Sequence, residues 1–143
     1  MTLSAPINDI TGRIIGAAIT VHRRLGPGLL ESAYLACLLF QLHRDGINVV
    51  ARKAVPISYD TVKIDCGYEL DLVVEDTVIV ELKSVSQLAN IHQAQLLTYL
   101  KLTGYPVGLL INFNVERLVD GVKRMINPHP DPRFVKVENK PQG

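Results

Sequence analysis

Tryptophan is absent from the sequence, and cysteine and methionine are scarce, with two residues of each among 143. Cys37 and Cys66 are too few to form a disulfide framework or a cysteine-rich zinc site. No apolar run reaches the length of a membrane span. The N-terminus lacks a basic segment followed by an apolar core, so we expect no secretory signal and a cytoplasmic location.

An excess of charge of one sign is also lacking, because 15 Lys and Arg residues oppose 14 Asp and Glu residues for a net charge of +1. Dedicated nucleic-acid-binding proteins usually display a strongly basic face, so the overall charge does not indicate one. Three basic pairs either line one phosphate-binding groove or are scattered solvated charges: Arg23-Arg24, Arg52-Lys53 and Lys123-Arg124.

The length and the 48% hydrophobic content suit one domain that buries about two thirds of its surface on folding. We assign residues 1–126 to this domain. Prolines and polar residues dominate after that point, so we expect residues 127–143 to form a Pro-rich flexible C-terminal tail.

Hydrophobic periodicity predicts an α/β fold with a mixed β-sheet flanked by helices. The predicted helices cover residues 8–25, 29–44 and 88–103. The predicted strands cover residues 48–54, 55–59, 68–74, 78–83, 107–113 and 121–126. The almost entirely apolar strand at 107–113 is typical of one buried on both faces, and a parallel crossover from the strand at 78–83 is expected.

Charged groups interrupt the apolar hairpin formed by residues 68–74 and 78–83. Glu81 and Lys83 share one strand face, and Asp71 can lie on that face across the hairpin. Facing carboxylates destabilise a hairpin unless a cation or a network compensates them, and Mg²⁺ or Mn²⁺ suits oxygen ligands. The alternative is an exposed hairpin face with a cross-strand salt bridge, which would contribute little.

The third predicted helix carries polar groups on the stripe that should face the sheet. His92, Gln95 and Tyr99 follow one another at helical spacing. A buried glutamine needs several hydrogen-bond partners, which a neighbouring active site would supply. The alternative is a helix end whose polar residues are solvated.

These patterns resemble a known enzyme superfamily. Asp71 followed by Glu81-Leu82-Lys83 on a hairpin resembles the metal-binding core of the PD-(D/E)XK nucleases, although no proline precedes Asp71. The Gln95-to-Tyr99 spacing is similar to the Gln-x-x-x-Tyr helix of their RecB-like branch. Residues 28–34 reproduce the Gly-x-x-Glu-x-x-Tyr signature of the GxxExxY proteins, and Ile111-Asn112-Phe113 is a further match.

The resemblance covers about residues 10–126 and implies a restriction-endonuclease-like α-β-β-β-α-β core. It also implies a divalent-metal-dependent nuclease acting on DNA or RNA, with DNA favoured. In this interpretation Asp71 and Glu81 bind Mg²⁺ or Mn²⁺ and are catalytic, with the Leu82 carbonyl as a further ligand. Glu31 is a ligand or a water-mediated ligand, and the alternative is a carboxylate that only favours the start of its helix. Lys83 would orient the attacking water and stabilise the transition state.

The other candidate residues are substrate contacts. Gln95 would contact phosphate or orient Lys83, with Tyr99 as its support. His92 would contact phosphate or hold residues that do so. Tyr34 would either contact the substrate or pack beneath Glu31. The alternative function is a non-catalytic module that keeps the fold and binds nucleic acid or a protein. A small nuclease core also predicts a partner protein or a homo-oligomer.

Overall fold

The computed structural model describes residues 6–135. Within them, the helices are α1 (Pro6–Leu25), α2 (Glu31–Arg44) and α3 (Asn90–Thr103). The strands are β1 (Val49–Ala54), β2 (Ile57–Tyr59), β3 (Val62–Ile64), β4 (Glu69–Val74), β5 (Val78–Lys83), β6 (Val107–Asn112) and β7 (Val122–Ile126). Short 3₁₀ turns at Leu118–Gly121 and Pro132–Phe134 complete the described elements. No helix among residues 6–135 is both long and apolar enough to cross a membrane.

The main sheet has five strands in the order β1-β4-β5-β6-β7. The pair β5 and β6 is parallel, and the other neighbouring pairs are antiparallel. Because α3 connects the parallel pair, the predicted crossover and the predicted mixed α/β sheet are confirmed. The predicted strand at 55–59 is instead the shorter β2, which pairs with the unpredicted β3 in a separate hairpin.

The sheet separates two hydrophobic cores. The first lies beneath α1 and α2 and contains Val80 and Leu82 of β5, whereas the second lies beneath α3 and contains Ile79. All six residues of β6 are buried, as expected for a central strand covered on both faces. A Cβ atom at Gly108 would lie 2.8 Å from Leu96 of α3, so glycine allows this helix to approach the sheet closely.

The C-terminal segment extends the packed domain beyond its predicted boundary. Asn127 is buried, and its Nδ2 donates to the Tyr105 carbonyl at 3.0 Å. The Phe134 ring lies against the Tyr105 ring with 6.0 Å between centroids. Residues 127–135, expected in a flexible tail, are therefore packed on the domain, and residues 136–143 lie outside the described part.

Candidate active site

The hairpin of β4 and β5 opens where the two carboxylates meet. Backbone pairing of these strands reaches Leu72 and Val80, one position before Asp71 and Glu81. Beyond these residues, backbone N–H groups donate to side chains. The Asp71 N–H donates to Glu81 Oε1 at 3.2 Å, and the Leu82 N–H donates to Asp71 Oδ2 at 2.8 Å. The predicted meeting of Asp71 and Glu81 is therefore present, and their carboxyl groups satisfy backbone donors that the opened ladder leaves free.

Glu81 lies in an environment that opposes its negative charge. Its side chain is buried, with 7% of the residue exposed. Burial, reinforced by the neighbouring Asp71 carboxylate, raises the pKa of Glu81 from 4.5 to about 8. In the absence of a compensating cation, this environment favours the protonated form of Glu81.

Lys83 lies at the half-buried end of the same strand. Its charge lowers the pKa of Glu81, but this effect is smaller than those of burial and Asp71. Among residues 6–135, Lys83 forms no ion pair with either carboxylate at 4.0 Å or less. The alternative of an exposed hairpin held by a simple cross-strand salt bridge therefore does not describe this pair of strands.

A cleft of about 220 Å³ adjoins the two strands and is here called the Asp71 cleft. Its walls include Glu31, Arg52, Asp71 and Leu82. Glu31 Oε1 accepts a hydrogen bond from the Ser84 N–H at 3.3 Å, which links the start of α2 to the end of β5. Glu31 and Asp71 thus face one cleft, although they come from opposite halves of the domain.

The loop before α2 presents Glu31 to this cleft. Gly26 and Gly28 have φ angles of +69° and +102°, a conformation that favours glycine. The Tyr34 hydroxyl donates to the Gly26 carbonyl at 2.6 Å and accepts from the Leu29 N–H at 3.1 Å. The Tyr34 side chain is fully buried, so the predicted substrate contact is wrong. Its hydroxyl instead stabilises the loop before α2 through these two hydrogen bonds.

Helix α3 brings Gln95 and Tyr99 together beside the sheet. Gln95 Nε2 donates to the Tyr99 hydroxyl at 3.2 Å, and Tyr99 is buried. Gln95 itself is exposed rather than buried as predicted, because it lies at the rim of the helix face that packs on the sheet. Burial and the nearby Glu81 carboxylate raise the pKa of Tyr99, which locates this hydroxyl within the field of the carboxylate pair.

His92 has a structural contact at the start of the same helix. Its Nδ1 accepts a hydrogen bond from the Ala89 N–H at 3.0 Å and so caps α3. This use of the imidazole accounts for a polar residue at this position without a phosphate contact. The predicted role of His92 in substrate binding therefore has no support in the observed geometry.

The three basic pairs do not line one groove. Arg52 lies on the Asp71 cleft, whereas Lys53 donates to the Tyr105 hydroxyl at 2.7 Å elsewhere on the domain. Arg52 has a φ angle of +55°, so the regular alternation of β1 is interrupted between these two charges. Arg124 instead binds the Asn8 side chain of α1 at 2.8 Å, and Arg23 and Arg24 line two other clefts. Of these pairs, Arg52 lines the Asp71 cleft.

Asn112 stabilises the segment that follows Lys83, a role that the sequence patterns did not predict. In the sequence it was noted only as part of the match to the family. It lies opposite Lys83 at the end of the parallel pair and is buried. Its Oδ1 accepts from the Val85 N–H at 3.1 Å, and its Nδ2 donates to the Val85 carbonyl at 2.9 Å. In the sequence, a polar residue at the end of an otherwise apolar strand is the feature that could have indicated this supporting role. Asn112 holds the chain that follows Lys83.

Replacing Asn112 with alanine should destabilise the protein by about 1–3 kcal/mol, because partly buried backbone groups of Val85 lose hydrogen bonds to this buried side chain. Urea denaturation measures the change. Asn114→Ala is the matched control, since its side chain makes a longer contact of 3.4 Å with the Val85 carbonyl. Equal losses in the two variants would show that Asn112 has no special supporting role.

The Asp71 and Glu81 carboxylates are oxygen donors of the kind that suits a divalent cation. Among residues 6–135, no group of three or more His, Cys, Asp or Glu side chains is arranged to hold a metal ion directly, so the role of Glu31 stays a prediction. Mg²⁺ is usually bound through one or two carboxylates, with waters and substrate phosphates as its other ligands. A cation would also favour the ionised form of Glu81.

Comparison with known proteins identifies one family model. A model of the PD-(D/E)XK nuclease superfamily matches residues 8–125, a span that runs from the first turn of α1 to the last residue but one of β7. Neither the curated proteins nor the solved structures gave a significant match. The matched span contains every candidate site residue described above.

Proposed function

Because the chain belongs to the PD-(D/E)XK nuclease superfamily, we propose that it is a divalent-metal-dependent nuclease that hydrolyses phosphodiester bonds in DNA or RNA. Membership indicates a nuclease-type function and nucleic acid as the substrate class. Nucleases of this superfamily generally use divalent metal ions. Assignment to the RecB-like branch and to the GxxExxY proteins is part of the proposal and rests on Gln95, Tyr99 and residues 28–34.

The observation that carries the proposal is the contact between Asp71 and Glu81 at the opened hairpin. The two carboxylates and the Leu82 carbonyl would hold Mg²⁺ or Mn²⁺, with Glu31 reached through water across the Asp71 cleft. The cation, when bound, supplies Lewis acidity that lowers the pKa of water and neutralises charge on the scissile phosphate. A protein without this cation would keep a buried carboxyl group at a cost in stability.

The remaining residues would position the reactants. Lys83 would orient the attacking water and stabilise negative charge in the transition state. Gln95, held by the Tyr99 hydroxyl, would contact phosphate or Lys83. Arg52, on the wall of the Asp71 cleft, would bind a neighbouring phosphate of the strand.

A second candidate function is a non-catalytic module that binds nucleic acid or a protein partner. The dispersal of the basic pairs and the net charge of +1 favour it, because neither creates a continuous phosphate-binding face. An apolar cleft of about 250 Å³ between α1 and α2, edged by the exposed Phe40, is the surface that would suit a protein partner.

Cleavage assays separate the two functions. Single-stranded, double-stranded and branched DNA and RNA are incubated with Mg²⁺ or Mn²⁺, with Asp71→Asn as the inactive reference. The nuclease proposal predicts metal-dependent cleavage by the wild type that the variant loses. Binding without cleavage under all of these conditions would favour the non-catalytic module.

Metal ions should stabilise the folded protein by mass action. At ten times the dissociation constant, Mg²⁺ or Mn²⁺ adds about 1.4 kcal/mol. For a domain of this size, that corresponds to a rise in Tm of roughly 4–5 °C. A thermal-shift titration measures it, and Asp71→Asn should remove most of the rise. An unchanged Tm at millimolar metal would contradict the metal site.

A further inference from the structure

A second cleft of about 260 Å³ lies beside the candidate active site and is here called the Tyr68 cleft. Its walls are formed by the start of β2, the residue before β4 and one side of α3. The lining residues include Ile57, Tyr68, Ile91, Gln95, Tyr99 and Leu102. None of the residues that line it within the described chain is charged.

The Tyr68 cleft shares two residues with the candidate active site. Gln95 and Tyr99 line this cleft and are joined by the hydrogen bond from Gln95 Nε2 to the Tyr99 hydroxyl, and Tyr99 is near enough to Glu81 for that carboxylate to raise its pKa. Tyr68 lies three residues before Asp71 in the chain. A group bound against Tyr68 would therefore lie near a phosphate held at Asp71 and Glu81.

Two large side chains of this cleft are open to solvent. Tyr68 is 45% exposed and Ile91 is 70% exposed. The rings of Tyr68 and Tyr99 meet edge to face at 61°, with 6.2 Å between centroids, and form a corner with two aromatic walls. An uncharged aromatic corner with an amide at its rim suits a flat, polar-edged ring and does not suit a phosphate.

We propose that the Tyr68 cleft binds an unpaired nucleobase of the substrate, adjacent to the phosphate that is cut. This inference rests on the proposed nuclease function and specifies its substrate class. Bases within an intact duplex are stacked on each other, so only a base in a single strand or one extruded from a duplex reaches the cleft. Stacking also supplies affinity to a chain whose net charge is only +1.

Binding of matched oligonucleotides tests the proposal. The probes are a fluorescein-labelled single strand, a strand of equal length made of abasic linkers, a blunt duplex, and a duplex with one bulged base. Anisotropy is measured in Ca²⁺, and gels confirm that the probes stay intact. Because the chain has no tryptophan, quenching of its tyrosine fluorescence reports contact of a base with one or more of its five tyrosines.

The wild type should bind the base-bearing single strand more tightly than the abasic strand and the blunt duplex, with quenching of tyrosine fluorescence. A bulged duplex that binds as well as the single strand identifies an extruded base as the ligand, whereas one that binds like the blunt duplex identifies a single strand. Equal affinity for the base-bearing and abasic strands, or no binding of the base-bearing strand, would overturn the inference.

Substitutions of Tyr68 and Tyr59 test whether the base contacts the Tyr68 cleft. Tyr68→Ala should weaken binding of the base-bearing strand by about five-fold to a hundred-fold and leave the abasic strand unaffected, whereas Tyr68→Phe should keep the affinity. Tyr59→Ala is the matched control, because Tyr59 is 74% exposed on the neighbouring hairpin and does not line the cleft. An equal loss in the Tyr59 variant would overturn the assignment to this cleft.

Failure of this inference is distinguishable from failure of the proposed nuclease function. Cleavage that proceeds equally well without bases near the cut phosphate would reject the base-binding cleft and leave the nuclease intact. Base-dependent binding lost in Tyr68→Ala, with no cleavage under any metal condition, would reject the nuclease and leave the cleft as part of a binding module.

Discussion

Lys83→Ala is expected to reduce phosphodiester hydrolysis by about 10²–10³-fold, the range typical for loss of one preorganised group that stabilises transition-state charge. The affinity for Mg²⁺ or Mn²⁺ should stay the same or rise. The reason is that Lys83 carries a positive charge near Glu81, and its removal ends the repulsion of a bound cation.

Calorimetric metal titration and single-turnover cleavage measure these two effects separately. Lys53→Ala is the matched control, because Lys53 contacts Tyr105 and Asp76 away from the Asp71 cleft. The control should leave cleavage within about two-fold of the wild type, as expected for a residue outside the reacting groups. Parallel loss of metal binding and cleavage in Lys83→Ala would mean that Lys83 organises the site and does not act on the substrate.

Glu81→Gln is expected to stabilise the metal-free protein above about pH 8 and to remove most of its stabilisation by metal. The folded-state pKa of Glu81 is raised from 4.5 to about 8, so the folded protein holds the Glu81 proton more tightly than the unfolded chain does. That contribution to stability is complete below the unfolded pKa and is lost as the pH rises through about 8. Glutamine imitates the protonated form and does not titrate.

Urea denaturation of the metal-free proteins between pH 5 and pH 9 tests this expectation. The wild type should lose at least about 1 kcal/mol across the window, since one unit of pKa shift corresponds to about 1.4 kcal/mol, and Glu81→Gln should lose less. Glu69→Gln is the control, because Glu69 is an exposed carboxylate at the start of β4 that lines the Asp71 cleft. A wild type whose stability is flat over this range would show that Glu81 is ionised in the folded protein.

The two carboxylates would couple the proposed metal site to folding as well as to chemistry. Asp71 and Glu81 use part of their hydrogen-bonding capacity on the backbone of the opened hairpin. A bound cation would favour the ionised form of Glu81 that burial opposes. Stability and proposed activity therefore depend on the same pair of side chains.

Local patterns in the sequence were sufficient for the elements and their broad arrangement. Alternation along β4 and β5 predicted the hairpin and brought Asp71 opposite Glu81, because a short turn leaves little choice of register. The apolar run of β6 and the helix before it predicted the parallel crossover. Boundaries differed by a few residues, as at α3, where the His92 cap defines the start.

What only the tertiary structure decided is which distant residues meet. Periodicity could not show that Tyr34 is buried under the Gly26 loop, that Arg52 and Lys53 separate, or that Asn127 packs beneath Tyr105. The sequence by itself determined the α/β class, the hairpin and the pairing of Asp71 with Glu81, since these depend on side-chain alternation and short connections. Burial, the raised pKa of Glu81 and the two clefts depend on packing between elements far apart in the chain, which no local pattern contains.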